Sequence, residues 1–161
     1  ELDPNYVIAY YFRGNAKRNL EDYNGAIADN SKAIELNPNY VSPYFNRALA
    51  KYELEDYNGA IADYSKAIEL DPNDARAYRG RGAAKFSLED YRGAIQDFNK
   101  GIELAPKEAK GYLLRGAAKL RLGDKNSGCL DLSKAGELGY EEAYGFIREL
   151  CKCRSYFFIR R

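Results

Sequence analysis

Arg13, Arg47, Arg81 and Arg115 recur at one spacing, and so do Asp29, Asp63, Asp97 and Asp131. A guanidinium and a carboxylate can pair through two parallel hydrogen bonds, so these ladders are the first candidates for chemistry. Groups repeated this regularly serve a scaffold more often than a ligand, and ion pairs between antiparallel helices are the expected use. Other reactive groups are few. The chain has no histidine, which removes the commonest general base, the Ser-His and Cys-His nucleophile pairs and His-based zinc sites. No phosphate-cradling glycine loop follows a strand. Acidic pairs such as Glu21-Asp22 stand where helices begin, and capping accounts for them. Cys129, Cys151 and Cys153 are odd in number and crowded at one end, which argues against a disulfide framework and suits a reducing compartment. Cys151-x-Cys153 is too closely spaced and too isolated to hold a metal. The reading is of a chain that is not an enzyme, with no catalytic residue, metal site or cofactor.

The elements that position the ladders follow from a duplication. LEDYNGAIADNSKAIELNPNY (residues 20–40) returns as LEDYNGAIADYSKAIELDPND (residues 54–74), with changes only at Asn30/Tyr64, Asn37/Asp71 and Tyr40/Asp74. Glu-Leu recurs at Leu2, Leu36, Leu70, Leu104 and Leu138, in steps of 34 residues without insertion. A fixed period of this size marks a stacked repeat architecture, because one helical hairpin cannot bury its own apolar face. The units are 7–40, 41–74, 75–108 and 109–142. Residues 1–6 read as the remnant of a preceding unit, so the sequence reads as part of a longer chain.

Each unit reads as two helices. In the second, Val41–Leu54 is the first helix, with Pro43 tolerated in its opening turn. Asp56 caps the second, in which Tyr57, Ala60, Ile61, Tyr64, Ala67 and Ile68 keep helical spacing. Asp71-Pro72-Asn73 ends it. The Asp29–Lys32–Glu35 series and its copies read as a solvated outer face. Residues 141–152 form a cap helix, with Tyr144, Ile147, Leu150 and Cys151 packing backward. The tail 153–161, including Tyr156-Phe157-Phe158-Ile159, fits no repeat position.

Small residues recur where helices must approach closely: Gly14, Ala48, Gly82 and Gly116 on first helices, Ala26, Ala60, Ala94 and Gly128 on second helices. Tyr10, Tyr44, Tyr78 and Tyr112 stand four before the first set, and Pro38, Pro72 and Pro106 close the units. In this the chain resembles the tetratricopeptide repeat family over nearly its whole length. The fourth unit drifts, with Tyr140 for proline, Lys125 for tyrosine and Cys129 for isoleucine. The resemblance implies an all-α, right-handed α-solenoid of stacked antiparallel hairpins, whose first helices line a concave groove. Carried over by register, the groove takes Tyr11, Phe12, Asn15 and Arg18 from the first unit and Phe45, Asn46, Leu49 and Tyr52 from the second. The third gives Arg76, Arg79 and Phe86, and the fourth Lys110, Leu113, Leu114 and Arg121. These sites differ between units while the frame does not.

The groove collects five basic residues against Glu53, in a chain of net charge +1. Aromatic anchors with basic donors suit an extended, partly acidic peptide of a protein partner, or one with a free C-terminal carboxylate. Chaperone-binding members of the family hold a carboxylate in a five-residue clamp. Asn15 and Asn46 match its asparagines and Arg76 replaces a lysine, but Tyr11 and Gly80 leave the clamp incomplete. The alternatives are a homo-oligomerisation module working through the repeat ends and the C-terminal tail, and single-stranded RNA binding, against which the near-zero net charge counts. No apolar run reaches the roughly eighteen residues of a membrane span. With the cysteine usage, this leads to an expectation of a cytoplasmic protein without a membrane partner.

Overall fold

The structure, a computed structural model, describes residues 4–151. The tail 153–161 lies outside the described residues. Those residues hold nine helices and no strand, in consecutive antiparallel pairs. They are α1 (Pro4–Asn19) with α2 (Tyr23–Leu36), α3 (Val41–Glu53) with α4 (Tyr57–Leu70), and α5 (Ala75–Ser87) with α6 (Tyr91–Leu104). The fourth pair is α7 (Ala109–Arg121) with α8 (Lys125–Glu137), and α9 (Ala143–Leu150) follows alone. Each pair stacks on the next, giving an all-α solenoid. Contacts also run between successive first helices (α1 to α3, α3 to α5, α5 to α7), so these four share one face. Two boundaries differ from expectation. Pro4, Asn5 and Tyr6 belong to α1, since proline is well placed in a first turn. The cap helix begins at Ala143, after a turn at Glu141-Glu142.

Local chemistry explains the punctuation. The carboxylates of Asp22, Asp56 and Asp90 each accept the N–H of Gly25, Gly59 and Gly93 at 2.9 Å, relieving an unpaired donor at the helix start. Asp124 does the same for Ser127 at 3.2 Å. Just before these caps the backbone turns left-handed, at Glu21, Glu55 and Glu89 (φ 61°, 61° and 63°) and at Gly123 in the fourth unit. That turn lets the Asp56 N–H reach back to the Lys51 carbonyl and close α3. At the other end, Asn37 and Asp71 accept the N–H of Asn39 and Asn73, holding the proline turns.

The small-residue positions are where the helices touch. Ala26, Ala48, Ala60, Ala94 and Ala118 are wholly buried. A Cβ on Gly82 would stand 2.7 Å from the Phe98 ring, so glycine is the residue that lets α5 and α6 close. Around Asp63 the packing becomes ionic. Arg47 donates through Nε and Nη2 to the two carboxylate oxygens (2.8 and 2.6 Å), and Lys51 Nζ adds a third donor at 2.8 Å. Arg47 Nη1 reaches Ser31 of the preceding hairpin at 3.0 Å, while its guanidinium lies 5.8 Å from the Tyr44 ring centre. Arg81 and Arg115 repeat the arrangement with Asp97 and Asp131, reaching back to Ser65 and Asn99. Arg13 forks onto Asp29. Lys17, Lys85 and Lys119 complete the other three clusters, a role the sequence reading did not assign them.

Three expectations change. The aspartates of the Asp29–Lys32–Glu35 series are not on the outer face. They are about 5% exposed, whereas the Lys32–Glu35 pair and its copies are solvated. Leu150 does not pack backward; it is 49% exposed. The cysteines do form a disulfide, between Cys129 and Cys151, whose Cα atoms are 5.9 Å apart. The turn after α8 folds α9 back along it, bringing together residues 22 apart that a count of cysteines does not pair. A bond of this kind belongs with oxidising surroundings, so cysteine usage no longer points to a reducing compartment.

Two predictions follow from the clusters. Asp63→Asn leaves Arg47 and Lys51 facing each other without their shared anion, and should cost about 3 kcal/mol in urea unfolding. Glu69→Ala, which removes only a surface partner of Lys66, should cost under about 0.5 kcal/mol. The second concerns acid. Hydrogen bonding from Arg13 holds the Asp29 carboxyl below its usual range, and Ser127 does the same for Asp124. A group whose pKa is depressed by folding stabilises above its unfolded value and loses that contribution as pH falls. Thermal midpoints should therefore be level at neutral pH and drop below about pH 4, less steeply in Asp29→Asn.

Candidate functional site

The shared face of the first helices carries a cleft of about 260 Å³. Phe45, Leu49, Tyr52 and Glu53 of α3 form one wall. Arg76, Arg79, Gly80 and Ala83 of α5 form the centre, and Lys110 and Leu114 of α7 the far side. Seven of the residues assigned to the groove by register thus meet in one cleft. Phe86, Leu113 and Arg121, with Leu114 again, line a neighbouring and more apolar cleft at the α7–α9 end. Tyr11, Phe12, Asn15, Arg18 and Asn46 line neither. Tyr11 packs edge-on against Tyr40 and near Phe12, which is largely exposed. Arg18 Nη2 donates to Asn15 and Asn19. Asn46 is buried, with its Nδ2 unpaired.

The floor of the cleft is Tyr64, a second-helix residue that the register argument missed. It is 1% exposed, stands edge-on to Phe45 with ring centres 5.6 Å apart, and passes between α3 and α5. Burial pushes its phenol well above the ordinary range, with Tyr52 and Glu53 adding to the effect and Arg18 and Arg79 opposing it. A Cβ on Gly80 would stand 2.4 Å from the Tyr64 ring, which explains why no basic side chain occupies that position. The signal was in the sequence, since Tyr64 replaces Asn30 at one of the three differences between the duplicated stretches.

The charge of the cleft also differs from the count of five bases against one acid. Asp74, the N-cap of α5, holds Arg76 through two hydrogen bonds of 3.0 and 2.9 Å, and Arg76 lies 5.1 Å from the Phe45 ring centre. Glu108, just before α7, pairs with Arg79. Neither acid falls on a groove register; both enter from helix starts. Arg121 stacks 5.4 Å from Tyr91. Lys110 is exposed and has no carboxylate partner among the described residues.

Comparison with known proteins fits this geometry. The family model for the TPR repeat matches residues 14–55 and 49–88, and that for the tetratricopeptide repeat matches residues 75–108, together well over half of the chain. The chain belongs to the tetratricopeptide repeat family. No curated protein matches it significantly by sequence. Among solved structures, a crystal structure of MamA is similar at a TM-score of 0.80 and 26% identity, covering 86% of this chain and 77% of that one. MamA residues 41 to the end from Desulfovibrio magneticus RS-1 align equally well, with a TM-score of 0.79, 26% identity, and 86% and 78% covered. The first TPR domain of Spaghetti (RPAP3), bound to the HSP90 peptide SRMEEVD, is similar at a TM-score of 0.74 and 25% identity, covering 76% of this chain and 97% of that one. Tetratricopeptide repeats are protein-interaction scaffolds and generally not catalytic, and this chain has the fold of such a scaffold. Among the described residues no helix is long and apolar enough to cross a membrane.

The fit of Tyr64 against Gly80 is testable. Gly80→Ala should lower the unfolding midpoint by the equivalent of about 1–3 kcal/mol through overpacking. In a Tyr64→Asn background, which copies the first unit, the same change should cost almost nothing, and equal costs in both backgrounds would show that the ring is not what excludes a side chain.

Proposed function

We propose that the cleft across α3, α5 and α7 binds an extended, partly acidic peptide of a partner protein. The observation that carries this is Lys110, an exposed cation with no carboxylate partner among the described residues, in one cleft with the rings of Phe45, Tyr52 and Tyr64. Rings bury the peptide's apolar atoms at small conformational cost, and an uncompensated ammonium favours a carboxylate. Arg76 is exposed beside it and can share its charge between Asp74 and an incoming anion. The first TPR domain of Spaghetti (RPAP3) is a relative bound to a peptide, SRMEEVD, that contains two adjacent glutamates. An acidic ligand is therefore within the chemistry of this fold. The clamp of chaperone-binding relatives is only partly present: Asn15 and Asn46 match its asparagines, while Tyr11 and Gly80, the latter packed against the Tyr64 ring, stand at basic sites.

A displayed peptide library tests the reading. Acidic sequences should be enriched by the native chain, and an Arg76→Glu/Lys110→Glu variant should bind the selected peptides at least about tenfold more weakly. Both side chains are exposed, and circular dichroism of the variant checks that its helices are kept. Equal binding by the variant would rule out the cleft as the working surface.

A further inference from the structure

Beyond the peptide cleft lies a second one, of about 380 Å³, at the end of the solenoid. One wall is α7, with Leu113, Ala117 and Leu120; the other is α9, with Phe146 and Leu150. Leu132 and Tyr140 lie between them. Tyr140 is the residue that replaces the proline closing the other units. The α9 wall is held in place twice: the Cys129–Cys151 bond ties its end to α8, and the Tyr144 ring covers Gly136 so closely that a Cβ there would clash at 2.6 Å. Phe146 and Leu150 nonetheless face outward, 45% and 49% exposed, so a fixed apolar wall stands open. Leu114 lines both clefts, which are therefore neighbours along α7.

We propose that this cleft is a second compartment of the groove, taking a bulky apolar side chain (leucine or phenylalanine) of the same peptide whose carboxylate meets Lys110. The inference rests on the peptide reading of the groove. Charge selects the occupant: the exposed cations Lys110, in the first cleft, and Arg121, in the second, stand four before and seven after the shared Leu114 on α7, so an acidic segment is favoured there. Geometry gives the spacing. Ala117, in the middle of the α7 wall, is seven positions beyond Lys110, about 10 Å along the helix. An extended peptide covers that in about three residues. The ligand is thus an acidic residue and a large apolar one about three positions apart.

The test uses synthetic dodecapeptides with a glutamate block and a leucine three positions away, in either order, against the same peptides with alanine for leucine. Fluorescence anisotropy should show one leucine peptide binding about tenfold or more tightly than its alanine partner. Phe146→Ser/Leu150→Ser should erase that difference while leaving the alanine peptide's affinity unchanged, with circular dichroism confirming the helices. If leucine and alanine peptides bind alike and Lys110→Glu weakens both, the second compartment is refuted and the acidic groove stands. If no acidic peptide binds, both readings fail. If the leucine peptide gains over its alanine partner only after Phe157→Ser/Phe158→Ser in the full chain, the chain's own C-terminal stretch is the occupant and the proposal is overturned.

Discussion

A carboxylate shared between an arginine and a lysine is the interaction on which the stack depends. Asp63 is nearly buried, and an unpaired carboxylate there would be prohibitively costly. It is tolerated because Arg47 and Lys51, one turn apart on α3, supply three donors to its two oxygens. The same arginine then reaches Ser31 on the hairpin before. One guanidinium thereby sets the angle between the helices of a hairpin and the register between hairpins. Apolar packing of alanines is slippery by comparison, since small flat faces define distance better than rotation. The directional fork supplies what the methyl groups lack.

That division of labour leaves the inner face free. Because α2, α4, α6 and α8 carry the acid of each cluster and the first helices carry its bases on the side facing them, neither half of the pair is available to the groove. Groove residues can then change from unit to unit without touching the frame. Tyr64 is the exception, a second-helix residue that crosses the frame and fixes a groove position from behind. Its ring makes the third unit's Gly80 obligatory, and so shapes the cleft more than any residue on the inner face.

Much of the fold was legible because it repeats. The 34-residue period, the Asp caps and the small contact residues each report one local requirement four times over, and agreement among copies is a strong signal. The site was less legible for a physical reason: helix register says which way a side chain leaves its own helix, not what enters from a neighbour. Asp74 and Glu108 approach Arg76 and Arg79 from helix starts, so among the bases lining the two clefts only Lys110 and a stacked Arg121 lack a carboxylate partner within the described residues. The five groove residues outside both clefts come mainly from the first unit, where α1 has no described neighbour before it to build a wall. The disulfide was illegible for a similar reason, since Cys129 and Cys151 meet only because the last turn reverses the chain.

The end of the stack shows what happens when the ionic device runs out. Continuing the period from Arg115 by 34 residues reaches Glu149, on α9, and no described helix follows to supply an aspartate. An acid at that register cannot make the fork, so α9 has nothing equivalent to the Arg47–Asp63–Ser31 linkage. Three departures from the repeat pattern occur together at this point. Cys129 stands where Ile27, Ile61 and Ile95 stand in the other units, Gly136 admits the Tyr144 ring, and Tyr140 replaces the closing proline. A covalent link and an aromatic ring hold α9 where the other units use the ion pair. The drift of the fourth unit is therefore not loss of pattern. It is the set of changes that attaches a last helix without the interaction that attaches the others, and the apolar cleft lies against that helix.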